Sequence, residues 1–221
     1  MKRHFTLNVI VTLLTTGICT GQDYEPEPEA YHIRTVFRSG QHASGGYGAI
    51  GNKFTTIGGK FANMPEVYGG WFINHKFMIG IGAAATTNFI EVPVEYSTQP
   101  GVDMSYAYGQ AGIMLEYTLW SHRALHFSFQ LFNGGAFTCQ YERTYHDENH
   151  YWDNVDYDHG HDVNFFYVSE PGVKVELNIF KWMRFCPGVS YRAAFGSDGI
   201  ELKDKDLSGV SMNFTLKFGR F

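Results

Sequence analysis

Eight stretches of this chain alternate apolar with polar residues, and no other feature constrains its fold as tightly. Successive side chains on a strand point to opposite faces, so a period of two reads as strand and argues against helix. The alternation is sharpest in four sets: Phe77, Ile79, Ile81, Ala83 and Ala85; Leu125, Phe127, Phe129 and Leu131; Val173, Val175, Leu177 and Ile179; Met212, Phe214, Leu216 and Phe218. Strands are predicted near 45–55, 63–73, 77–89, 105–119, 124–138, 163–179, 183–195 and 207–218.

The connections alternate as well. Tight turns are expected at 74–76, 120–123 and 180–182, and longer polar links at 91–104, 139–162 and 196–206; only the link around Ile57-Gly58-Gly59 breaks the rhythm by being short. Short and long connections in alternation are what an up-and-down membrane barrel requires, with turns on one side and external loops on the other. The fold class expected is therefore all-β, an eight-stranded antiparallel up-and-down transmembrane β-barrel. The barrel is expected over residues 45–221, and the 200 residues beyond position 21 suffice for eight strands with modest loops and not for a sixteen-stranded porin.

The first residues read as a secretory leader. Lys2 and Arg3 precede an apolar stretch from Leu7 to Ile18, and Cys19-Thr20-Gly21 offers the small residues that a signal peptidase cleaves behind. Residues 1–21 are expected to be a signal peptide and 22–44 a periplasmic tail, rich in Pro and Glu at its start. The leader stretch is too short and too rich in Thr for a helical span, and no other segment approaches the roughly 18 apolar residues that one needs. If the chain enters a membrane, strands carry it there.

Alternation does not say which face is inside. A soluble lipocalin-like barrel would line its interior with the apolar set, whereas a membrane barrel turns that set outward and carries aromatic belts at the two water interfaces. Trp71, Trp120, Trp182, Tyr117, Phe180 and Phe218 fall at the short-turn ends, and Phe89, Tyr106, Phe137, Phe165 and Tyr191 toward the long-loop ends. Two belts favour the membrane. On this pattern the chain resembles the small eight-stranded outer-membrane proteins of Gram-negative bacteria, the outer membrane protein A and X type, over roughly its whole length beyond the leader. The resemblance implies location in the cell outer membrane, contact with outer-membrane lipid, and a terminal strand aromatic read by the barrel-insertion machinery. Phe218 keeps the phase of its strand and Phe221 does not, so either could be that aromatic.

The opposite face of the strands holds the chemistry. Glu116, Glu170, Lys174, Glu176, Arg184, Arg192 and Lys217, with His126, Ser128 and Gln130, are expected to point into the lumen. Eight strands leave an interior that side chains can fill, so a hydrogen-bonded ionic plug is favoured over a narrow pore. His126-Phe127-Ser128 also matches the His-x-Ser pair of lipid A deacylases, small barrels in which His activates Ser. Its place near the turn end and its inward parity argue against such an enzyme. Cys139 and Cys186 fall on non-neighbouring strands at different heights and are expected to stay unpaired.

The segment 139–162 carries seven acids against Arg143 alone. Like-charge repulsion alone would extend it into solvent. His146, His150, Asp158, His159 and His161 are groups that bind zinc, copper or nickel, but no fixed ligand spacing supports a site. A polar loop whose tyrosines contact a surface protein or glycan is the favoured reading. No cofactor is expected, and a pI near 6.0 without a basic patch argues against nucleic acid. The sequence thus points to a non-enzymatic outer-membrane barrel whose loops serve surface interaction or association with an envelope complex.

Overall fold

The computed structural model describes residues 44–99, 101–143 and 163–221. The expected leader, the tail as far as residue 43 and the loop residues 144–162 with His146, His150, His159 and His161 lie outside the described residues. Eight strands form the described fold: β1 (Ser44–Ile57), β2 (Lys60–Ile73), β3 (Phe77–Ala85), β4 (Met104–Leu119), β5 (Leu125–Glu142), β6 (Asn164–Phe180), β7 (Met183–Phe195) and β8 (Gly209–Gly219). Each pairs antiparallel with its chain neighbours, and β8 returns to β1 to close the barrel. The seam runs from Tyr47 opposite Gly219 to Phe54 opposite Met212. Closure gives every strand two partners, which removes the free edges that hydrocarbon would penalise by several kcal/mol per unpaired backbone group.

The strands hold 9 to 18 residues, and about 9–11 tilted residues cross a bilayer core. No described helix is long and apolar enough to cross a membrane, a fact that bears only on helices. The reversals use left-handed backbone. Gly58 and Gly59 (φ 55° and 74°) join β1 to β2, and Asn74 and His75 (φ 55° and 53°) join β2 to β3. Gly58-Gly59 is the pair that matches the right-handed twist of a two-residue hairpin, while Asn74 and His75 begin a three-residue link in which Lys76 N–H donates to Ile73 O at 3.1 Å. A single register shift interrupts the β6/β7 ladder, between Asn178 and Phe180.

One end of the barrel, here the turn end, collects these short reversals at 74–76, 120–124 and 181–182 with Ser44 and Phe221; the other, the loop end, collects 86–103, 196–208 and the tight Gly58-Gly59 turn. The polarity of the wall is inverted relative to a soluble barrel. Ile81 is 74% exposed on the outside while Lys174 and Lys217 are 0% exposed inside. The four apolar sets named from the sequence occupy the outer face, although some of their members are only partly exposed.

Within the wall, the interior falls into three layers. Rings of Tyr47, Phe72 and Phe221 fill the turn end, with Tyr47 at 5.7 Å from Phe72 and 5.4 Å from Phe221. Charged residues fill the middle. Ile57, Ile90, Met104, Leu202 and Leu207 form an apolar cap at the loop end, where helix α1 (Asp204–Leu207) and the 86–103 link fold inward.

Several sequence expectations are corrected here. Tyr106 is buried at 6% exposure and hydrogen-bonded to Glu201, so it belongs to the interior cap and not to an outer aromatic belt. β3 is shorter than expected, ending at Ala85, although its ladder hydrogen bonds run on in register, Thr86 N–H donating to Tyr108 O at 2.9 Å and Thr87 N–H to Asn63 O at 3.0 Å. β5 runs on to Glu142, which places Cys139 inside a strand. Leu207 ends α1 instead of opening β8.

Candidate functional site

The lumen holds the densest chemistry, and strand parity puts it there. On β5, β6, β7 and β8 the even residues, or on β8 the odd ones, face inward, so residues two apart stack along the axis while neighbouring strands bring different types to one height. Five cations, Lys53, Lys174, Arg184, Arg192 and Lys217, and four carboxylates, Glu66, Glu116, Glu170 and Glu176, are buried inside.

They form two ionic clusters. In the upper one, Lys53 Nζ lies 2.9 Å from Glu170 and 3.1 Å from Glu66, while Lys174 Nζ lies 3.6 Å from Glu66. Neutral donors complete it. Gln110 Nε2 donates to Glu170 at 3.0 Å, Ser190 Oγ donates to its other oxygen at 2.6 Å, and Lys174 donates to Tyr68 and Thr215 hydroxyls at 3.1 and 3.0 Å.

In the lower cluster Lys217 bridges Glu116 and Glu176, Tyr47 Oη donates to Glu116 at 2.8 Å, and Arg184 donates to Glu176 at 3.0 Å. Arg184 also stacks over Phe221, its guanidinium carbon 3.9 Å from the ring centroid. The turn-end rings therefore close over the charges. No carboxylate pairs with Arg192 among the described residues; it donates to the Leu207 and Thr56 carbonyls at 2.6 and 2.7 Å and lies 5.0 Å from the Tyr108 ring. That contact ties α1 and the β1 end to the wall beneath them.

All seven residues expected to form the lumen network lie inside, and six of them meet in the two clusters; Arg192 stands apart at the cap. Sequence reasoning missed Lys53 and Glu66, which link Glu170 to Lys174. Parity could have found Lys53, since its neighbour Phe54 points outward and Thr55 inward. The space between Lys53, Glu66, Tyr68, Gln110 and Phe132 is too small for a water molecule.

His126 and Ser128 are both fully buried near the turn end. His126 sits 3.0 Å from Glu176 through Nε2 and 3.0 Å from the Arg123 carbonyl through Nδ1, which fixes the ring whichever nitrogen carries the proton. Both side chains are enclosed by the network, with no face open to a lipid ester. Cys186 is buried in the lumen, Cys139 lies on the outer face of β5, and both are free thiols. On the outer wall a shallow apolar groove of about 700 Å³ runs over Ala83, Ala85, Ala111 and Gly135 between Val67 and Phe165.

No family model matches the sequence, and no curated protein does. Solved structures do match in fold. Neisserial surface protein A superposes with a TM-score of 0.54 at 9% identity, over 81% of this chain and 99% of that one. The N-terminal β-barrel domain of Pseudomonas aeruginosa OprF gives 0.47 at 7% identity, over 78% and 96%, and the attachment invasion locus protein Ail of Yersinia pestis 0.46 at 10%, over 80% and 97%. A closed ring of eight antiparallel neighbours, together with the likeness to the Neisserial protein, gives this chain the fold of the small eight-stranded up-and-down outer-membrane barrels, the outer membrane protein A and X type.

Proposed function

We propose that the protein is a non-enzymatic integral outer-membrane barrel whose loop end serves surface interaction or association with an envelope complex. The observation that carries the membrane assignment is the inverted polarity: among the described residues, nine charged side chains inside the wall, and Ile, Val, Phe, Leu and Trp outside it. Water would not tolerate so continuous an apolar exterior, whereas hydrocarbon requires one. The same inversion speaks against the lipocalin-like reading.

The ion pairs, with no water-sized space beside Lys53 and Glu66, favour a plug over a narrow pore. Enclosure of His126 and Ser128 disfavours the lipid A-modifying reading, because a serine nucleophile must reach its ester. Surface interaction rests on position. The long links collect at one end, where loops on a rigid scaffold recognise partners, and a protein or glycan is the partner class that suits them.

Fractionation of cells expressing the full chain tests the assignment. The outer-membrane fraction should hold a band whose gel mobility changes on boiling, and protease added to intact cells should cut within 144–162. A periplasmic band without a heat shift would refute it.

A further inference from the structure

The surface acids of the barrel are sorted by end, whereas cations stand at both. Among the described residues, every Asp or Glu outside the lumen belongs to the loop end, from Glu91, Glu95 and Asp103 to Asp206. Among the described residues, the turn end has no Asp or Glu on its surface and carries four exposed cations, Lys76, Arg123, Lys181 and Arg220. They are spaced one to a junction: Lys76 between β2 and β3, Arg123 between β4 and β5, Lys181 between β6 and β7, and Arg220 after β8, where its N–H donates to Gly46 O at 3.2 Å. Over the described residues, the side chains of this rim are net positive.

Indole rings accompany the cations. The Arg123 guanidinium lies 5.6 Å from the Trp120 ring, and Lys181 separates Phe180 from Trp182, whose rings stack at 5.5 Å. Amphipathic rings favour the level of lipid headgroups, and long cationic side chains reach from there toward phosphate. A solvated rim would need no such pairing and no such exclusion of acids.

We propose that the turn-end rim binds anionic phospholipid, the four cations gathering headgroups such as phosphatidylglycerol around it and seating Trp120 and Trp182 among them. The occupant follows from charge complementarity: a ring of single positive charges, one at each quarter of the wall, faces a layer of single negative charges. A basic side chain near such a surface favours anionic over neutral lipid by up to roughly five-fold, less at high salt. The inference rests on reading the exterior as lipid-facing.

The test is tryptophan quenching by brominated lipid. The full chain, with Trp152→Phe so that the signal comes from Trp71, Trp120 and Trp182, is reconstituted in phosphatidylcholine vesicles containing brominated phosphatidylglycerol or brominated phosphatidylcholine at equal fraction. Quenching should be about two- to five-fold more effective with the anionic lipid, and this preference should vanish in Lys76→Gln/Arg123→Gln/Lys181→Gln/Arg220→Gln and shrink in high salt. Retention of the heat-modifiable band shows that the variant still folds. Equal quenching by both lipids in the unaltered chain, or a preference that survives the four substitutions, overturns the proposal and leaves the membrane assignment standing. Absence of quenching by either lipid overturns both.

Discussion

Lys217 stands between Glu116 and Glu176 inside the wall, and its charge is what lets both carboxylates remain there. Glu176 keeps Arg184 and His126 as further partners, but Glu116 is left with the Tyr47 hydroxyl alone. Removing one member of a buried pair costs about 3–5 kcal/mol, because the survivor stays desolvated and unpaired. Lys217→Met should lower unfolding stability by that amount in urea titrations of the folded barrel, and Glu116→Gln added to it should restore more than about 1 kcal/mol. A single variant within experimental error of the parent would show that the cluster is not held by this pairing. Arg192 works through geometry instead of countercharge, its planar fork donating to the Leu207 and Thr56 carbonyls at once. A lysine cannot span both. Arg192→Lys should therefore loosen the 196–208 segment, read as faster limited proteolysis there at unchanged barrel content; equal cleavage rates would dismiss the clamp.

At the scale of the strand, close approach limits substitution more than polarity does. Gly80 of β3 lies against Gly69 and Gly70 of β2, and a Cβ there would overlap the Gly69 carbonyl. Gly48 of β1 has open space around the same position. Gly80→Val should abolish the heat-modifiable folded band, and Gly48→Val, which only adds an outward apolar side chain, should leave it intact; equal behaviour would mean that the wall gives way at Gly80. In the β2–β3 turn, His75 holds φ 53° without being glycine. Because a left-handed residue other than glycine costs about 1–2 kcal/mol, His75→Gly should stabilise the barrel by up to about 1 kcal/mol in the same titrations.

The element pattern also shows how far the sequence could be read. β5 and β8 were legible because their apolar residues are large and their inward residues polar, so parity and polarity agree. β2 was only half legible: its inward set is Ala62, Met64, Glu66, Tyr68 and Phe72, mostly apolar because it feeds the cap and the turn-end rings. Glu66 was thus hidden in a strand whose two faces look alike, and Lys53 in one diluted by Gly and Thr. Tyr106 could have been placed by parity, since it lies ten residues from inward Glu116 on one strand; only its partner Glu201, in a distant loop, had no such signal. Contacts made by loops crossing the barrel mouth carry no periodic signal.

As a whole molecule, the barrel is layered along its axis, with rings, then ions, then an apolar cap. Reconstituted in planar bilayers it should hold no steady ion conductance above that of bare lipid, and a stable unitary current would contradict the plug. The β1–β8 seam joins residues 158 to 172 positions apart in sequence by the same antiparallel ladder as the other seven junctions. Ser44 and Phe221 emerge at the same rim, with Arg220 hydrogen-bonded to Gly46. Geometrically the wall therefore has no first strand. A circular permutant that links Phe221 to Ser44 through a short flexible loop, and begins instead at Gly59, should assemble the same barrel, which would make strand order a property of the circle and not of the point at which the chain is cut.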